Sequence, residues 1–197
     1  MPMAGRREAR ERSEKLWTSL RGAVADLPMP VETVTFLCAV RDWYFDNGAD
    51  LKAKVIEIEG ESDSVYTPLS LSWLCALDYA TLPLEANGMT ARDYHGAIVS
   101  RIAPRNETEI LRFVHEMLRE LTIARSNAYF DRFHEDVVLF SHFDSGKLVL
   151  YRESTGDTYH ANGLPWRGDV SRLVPLDREA LAETLSTLSC DDATRST

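Results

Sequence analysis

Histidine and carboxylate side chains are the groups through which this chain could do chemistry, and most of them gather in its C-terminal half. His134, Glu135, Asp136, His142 and Asp144 lie close together, with His115 upstream and His160 downstream. Imidazole nitrogen and carboxylate oxygen are ligands for zinc, manganese or iron. His142 and Asp144 are two residues apart, which on a strand turns both to one face, and His160 could reach them from a neighbouring strand. A metal-assisted site built from His134, His142, Asp144 and His160 is therefore one expectation. Against it, Asp144 is also the natural first residue of a hairpin turn, where its carboxylate bonds to backbone amides. Asp78 is a second candidate acid or base. It sits in a strongly apolar stretch, where a carboxylate needs a partner such as Arg41 or Arg101, or else a pocket that raises its pKa. His115 reads as a helix-boundary residue.

No phosphate-binding glycine loop, H-E-x-x-H, C-x-x-C or G-x-S-x-G motif occurs. That speaks against a nucleotide-binding enzyme, a zinc finger and a serine hydrolase, and no cofactor is expected. The residues suited to partner contact are Trp166 and Arg167 in a glycine-containing loop, and Arg6, Arg7, Arg10 and Arg12 near the N-terminus. Loop tryptophans also serve to pin a loop onto its own domain. The arginines could instead meet a phosphate backbone, in which case binding would fall steeply with salt.

The elements that must position these groups follow from periodicity. A first helix is expected from about Gly5 to Leu27, apolar only in its second half (Leu16, Trp17, Leu20, Val24), with its first three turns exposed and carried by Glu8–Arg12 and Glu11–Lys15 pairs. A second helix runs from Val31 to Asp46 and ends at Asn47-Gly48. Lys54–Glu59 alternates like a strand, and a polar loop follows over Gly60–Ser64. Thr67-Pro68 opens a third, nearly apolar helix through Tyr79. Thr90 and Asp93 cap a fourth that reaches Ile102.

A fifth helix starts at Asn106 and Glu109 and carries Ile110, Val114, Met117, Leu121, Ala124 and Ala128 in a/d spacing. That stripe reads either as core or as a homodimer seam over residues 108–130. Val137–Phe143, Lys147–Glu153 and Thr158–Ala161 form an antiparallel meander with turns at Asp144-Ser-Gly and Ser154-Thr-Gly-Asp. A leucine-rich helix over Asp177–Leu188 precedes a polar tail at 191–197. The fold class is thus α+β: a core of five to six helices with a small C-terminal three-stranded antiparallel meander, in a single domain of residues 1–197.

With 44% hydrophobic and 27% charged residues, the chain has ordinary globular composition. Its longest apolar runs fall short of a membrane span, no signal-peptide h-region follows the N-terminal arginines, and three widely spaced cysteines suit a reducing compartment. A cytoplasmic protein is expected, and arginine rather than lysine as the dominant cation suits a GC-rich bacterial genome. The net charge is −9, yet residues 1–22 carry six basic and three acidic groups, which leaves −12 on the remainder. An acidic body suits electrostatic association with a basic partner more than a nucleic acid.

The strands around Leu139 and Val149, the Ser154-Thr155-Gly156-Asp157 turn and the closing leucine-rich helix resemble the end of immunity proteins of the SUKH superfamily. The resemblance covers less than a third of the chain, and the helical part departs from that family's arrangement. It implies a small intracellular protein that binds and neutralises another protein. The expected function is that of a non-catalytic binding protein of immunity, adaptor or assembly-factor type. The alternatives are the small metal-assisted enzyme and a nucleic-acid-associated regulator acting through the basic first helix.

Overall fold

The computed structural model describes residues 2–59, 68–84, 89–184 and 186. They form two compact units, one of Met1–Tyr79 with Gly88–Leu121 and one of Ala80–Asn87 with Thr122–Thr197. The fold is α+β, as expected. The loop at Gly60–Ser64, Thr67, Asn87-Gly88, the end of the last helix and the tail at 191–197 lie outside the described residues. None of the described helices is long and apolar enough to cross a membrane.

The first unit is helical: α1 (Pro2–Ala25), α2 (Thr33–Glu59), α3 (Leu71–Cys75), α4 (Ala91–Ser100) and α5 (Glu107–Thr122). Leu16, Trp17, Leu20 and Val24 of α1 are buried, and α1 packs on both α2 and α4. From Arg7 to Lys15 it is largely exposed, with one seam at Ser13, which is fully buried and donates to the Pro104 carbonyl at 2.6 Å.

Two expectations fail here for one reason. Helix α2 does not stop at Asn47-Gly48, and Lys54–Glu59 is its last part rather than a strand. A mid-helix glycine costs only about 1 kcal/mol relative to alanine. Leu51, only 2% exposed, extends the buried stripe of Leu37, Val40 and Tyr44 at helical spacing, so packing outweighs local propensity. The third helix is shorter than predicted. Leu69 takes a left-handed φ of 70°, and the helix begins only after Ser70, whose hydroxyl accepts from the Trp73 amide at 3.2 Å. It ends at Cys75, and Tyr79 folds back to donate to the Leu74 carbonyl at 3.1 Å. Leu69, Leu71, Trp73, Leu74, Cys75 and Tyr79 are buried as their types require, although only Leu71–Cys75 is helical.

Helix α4 carries the expected capping box, with Thr90 accepting from the Asp93 amide and Asp93 accepting from the Thr90 amide. Thr90→Ala should therefore cost about 1 kcal/mol, readable as a lower urea midpoint with an unchanged m-value. Helix α5 starts as predicted, the Glu109 amide donating to Asn106 Oδ1 at 2.9 Å. It ends six residues before Ala128, because the chain at Ala124–Ser126 is drawn into the sheet: the Ala124 carbonyl accepts from the Leu139 amide, and Arg125–Ser126 pairs with Val137–Val138. Ile110, Val114, Met117 and Leu121 are all 0% exposed. The a/d stripe is used up inside the chain and is not open to serve as a dimer seam.

In the second unit the meander forms as expected from β2 (Val137–His142), β3 (Leu148–Tyr151) and β4 (Thr158–His160). Two short strands join it, β1 (Arg125–Ser126) and β5 (Leu173–Pro175), both paired antiparallel with β2. Val137, Leu139 and Leu150 turn to one face, where they pack with Phe133 of α6 (Phe130–Phe133), Leu176, and Leu181 of the last helix, α7 (178–184). Alternation turns Val138, Phe140, His142, Val149, Tyr151 and His160 to the other face. The 161–172 segment carries the chain from the outer edge of β4 to β5 on the far side of β2, and it brings Trp166 and Arg172 to the end of β2.

Candidate functional site

Strand β2 ends at His142, and the chain reverses within four residues. The Ser145 and Gly146 amides both donate to the His142 carbonyl, at 3.2 and 2.8 Å, with Gly146 at φ 62°, a conformation glycine adopts without steric cost. This tight turn lays Ser145 Oγ 3.0 Å from His142 Nδ1 and Asp144 Oδ2 3.8 Å from His142 Nε2. The residue types are those of an acyl-transfer triad, but the carboxylate stands outside hydrogen-bond reach of the imidazole, and the Ser145 and Gly146 amides are already bonded to the His142 carbonyl.

Asp144 is engaged from elsewhere in the chain. Asp169 caps a 3₁₀ turn, Val170–Arg172, by accepting from the Ser171 amide at 2.9 Å and the Ser171 hydroxyl at 2.7 Å. The turn places the Arg172 carbonyl to accept from the Phe143 amide at 2.9 Å. The Arg172 guanidinium then bonds both oxygens of Asp144, Nε to Oδ2 at 3.2 Å, and lies 4.9 Å over the Phe143 ring. Phe143 is 65% exposed. Asp144 thus orients an arginine on an aromatic ring at the surface, and does not cap its own turn.

The Arg172 hydrogen bond holds the Asp144 carboxyl below its ordinary pKa, with Arg172 and His142 charges adding to the effect. Asp169 is held low chiefly by Ser171, then by Arg172 and His142. A carboxyl whose pKa is depressed on folding contributes stability that is complete above its unfolded pKa and is lost as the pH falls through the folded one. Wild type should therefore melt above Asp144→Asn at pH 7. The gap should start to close below about pH 4, the ordinary aspartate range, in a thermal-melt series run from neutral to acid. A gap that grows on acidification would contradict the pairing.

The other sequence candidates are scattered. His134 is the exposed left-handed cap of α6 (φ 58°). His160 sits on β4, two strands from His142, about 10 Å at ordinary strand spacing. Glu135 is taken by Arg152 at 2.7 Å and by the Ser154 hydroxyl at 2.5 Å, and Asp136 is exposed. His115 meets the Leu69 carbonyl at 2.5 Å. Among the described residues no group of three or more His, Cys, Asp or Glu side chains gathers as a metal set. Asp78 lies past the end of α3 and is exposed, so it is not the costly buried carboxylate that a longer helix implied. Arg41 pairs with Asp42 at 3.0 Å instead, and lies over the Tyr79 ring.

No family model, curated protein or solved structure matches the chain.

Trp166 is half-buried, edge-on to His142 at 5.6 Å, and its indole covers the Cα of Gly168, where any side chain would collide with it. It ties its loop to the end of β2 and helps hold the site. Arg167 beside it is exposed. In α1, Arg7 and Arg10 pair with Glu11 and Glu14, both at 2.9 Å, and Arg12 pairs with Glu107 at 3.6 Å. Three of the four N-terminal arginines thus already face a carboxylate; the Arg6 side chain lies outside the described residues. No sequence signal marks Phe143 or Arg172. Phe143 read as one more residue of a strand, and no spacing rule links Asp144 to an arginine 28 positions on.

Proposed function

We propose that the chain is a non-catalytic binding protein that acts through protein–protein contacts, of adaptor, immunity or assembly-factor type. The observation that carries this is the Phe143–Arg172–Asp144 assembly: a largely exposed aromatic ring under a guanidinium fixed by a two-point ion pair. Aromatic and arginine side chains dominate the energetics of protein interfaces. Orienting them beforehand lowers the ordering cost of association. Of the groups that could have served chemistry, Asp144, Glu135 and His115 are engaged in bonds that hold the fold.

The test is affinity capture from native extract with wild type and with Phe143→Ala, read by quantitative mass spectrometry. A genuine partner should be depleted at least about tenfold on the variant, the size of a modest hot spot, while the variant's melting curve stays close to wild type. Equal recovery on both forms would remove this surface from the function. Metal analysis of untagged protein is the companion measurement, and stoichiometric zinc, manganese or iron lost on His142→Ala would favour a metal-assisted enzyme instead.

A further inference from the structure

We propose a second contact face, on the helical unit: the groove between the first half of α1 and the 101–105 loop binds an acidic segment of a partner protein that carries an apolar side chain. The groove has a volume of about 420 Å³ and is lined by Ala9, Arg10 and Glu14 on one wall and by Ile102, Ala103, Pro104 and Arg105 on the other. Ile102 is 88% exposed, the most exposed large apolar residue described.

The loop that presents it is clamped at successive carbonyls. Arg21 Nε donates to Ile98 O at 3.3 Å, Trp17 Nε1 donates to Arg101 O at 3.2 Å with Arg21 Nη2 beside it at 2.5 Å, and Ser13 Oγ donates to Pro104 O at 2.6 Å. The Arg105 amide is fixed in turn by Glu109 Oε2 at 3.0 Å. Ile102 is thus held outward beside Pro104, Ala103 and Ala9 by the buried Ser13 and Trp17 and the half-buried Arg21. A partner that covers it orders nothing further, the condition under which exposed apolar surface converts most fully into affinity.

Charge selects the occupant. The chain is acidic overall, at −9, yet the Arg105 guanidinium in this groove has no carboxylate within ion-pair reach among the described residues. Arg10 opposite is engaged only by Glu14, its own helix neighbour, in a pair 75% and 52% exposed. Exposed pairs of this kind are weak and exchangeable. An incoming carboxylate can meet Arg105 and draw Arg10 from Glu14 while an adjacent apolar side chain covers Ile102 and Pro104.

The probe is a short synthetic peptide of alternating glutamate and leucine, titrated into the ¹⁵N-labelled full chain and followed by amide resonances. A lysine–leucine peptide and a short single-stranded DNA serve as comparators. The glutamate peptide is expected to move the amides of Ala9, Ile102, Ala103 and Arg105, to weaken as salt is raised, and to bind Ile102→Ser and Arg105→Glu at least about fivefold more weakly. Ile102 is almost wholly in solvent, so its variant folds as wild type does, and an unchanged spectrum elsewhere confirms it. Equal binding of both peptides, a preference for the lysine peptide or for DNA, or no movement at these amides would each overturn the proposal. Phe143→Ala should leave this titration unchanged, so failure here is separable from failure at the Phe143 site.

Discussion

Phe140→Ala is expected to cost about 3–5 kcal/mol of folding stability, whereas Phe143→Ala, three residues along, should cost at most about 1 kcal/mol, the worth of an exposed cation–π contact. The two rings leave the same stretch of chain and meet opposite surroundings. Phe140 is 0% exposed on the central strand β2, paired with Val149 and Pro175 on its two sides and edge-on to Tyr151 at 5.9 Å. Truncating it forfeits the transfer of a full aromatic side chain and leaves a cavity between flanking strands that cannot collapse. Against a typical total of about 5–15 kcal/mol, that loss should lower the urea midpoint sharply and lead to partial unfolding at 37 °C. Comparable midpoints for the two variants would mean that the burial assigned to β2 is mistaken.

Met117→Asp should prevent folding outright. Met117 is 0% exposed at the centre of the α5 stripe, and an unpaired carboxylate there carries a desolvation penalty in the class of effects above about 4–5 kcal/mol. The outcome also decides the role of that helix. If the stripe joined two copies, the substitution would yield a folded monomer with native circular dichroism and half the light-scattering mass. If it is core, the variant should be insoluble or show an unfolded spectrum at every concentration.

Local signals in the chain translated directly into structure. The Thr90–Asp93 box, the Asn106–Glu109 start of α5 and the two glycine turns of the meander each depend on residues within a few positions of one another, so their chemistry can be read off in order. The failures were contests between local and distant forces. β-branched residues at Val55, Ile56 and Ile58 suggest a strand, but their propensities amount to tenths of a kcal/mol, and they continue a helix whose buried stripe runs to Leu51. Strand β5 ends in Pro175 and is three residues long, so nothing in its composition marks it as part of a sheet; only its pairing with β2 does. The site divides in the same way. His142, Asp144 and Trp166 could be singled out by type, and Trp166 as a residue that pins its loop. The arginine that gives Asp144 its role could be found only once β5 had carried Arg172 to the end of β2.

The sheet's borders bear on behaviour at high concentration. The outer edge of β5 offers an approaching strand almost no donor, since the Leu173 amide is spent on the Val170 carbonyl and Pro175 has none. Along β4 the His160 amide is given to Leu164 and the Thr158 carbonyl to Trp166, while β1 is two residues long. Edges closed in this way resist strand-to-strand recruitment between molecules. The folded protein should therefore stay free of thioflavin-positive fibrils on prolonged storage, and any aggregation should start from chains that have first unfolded.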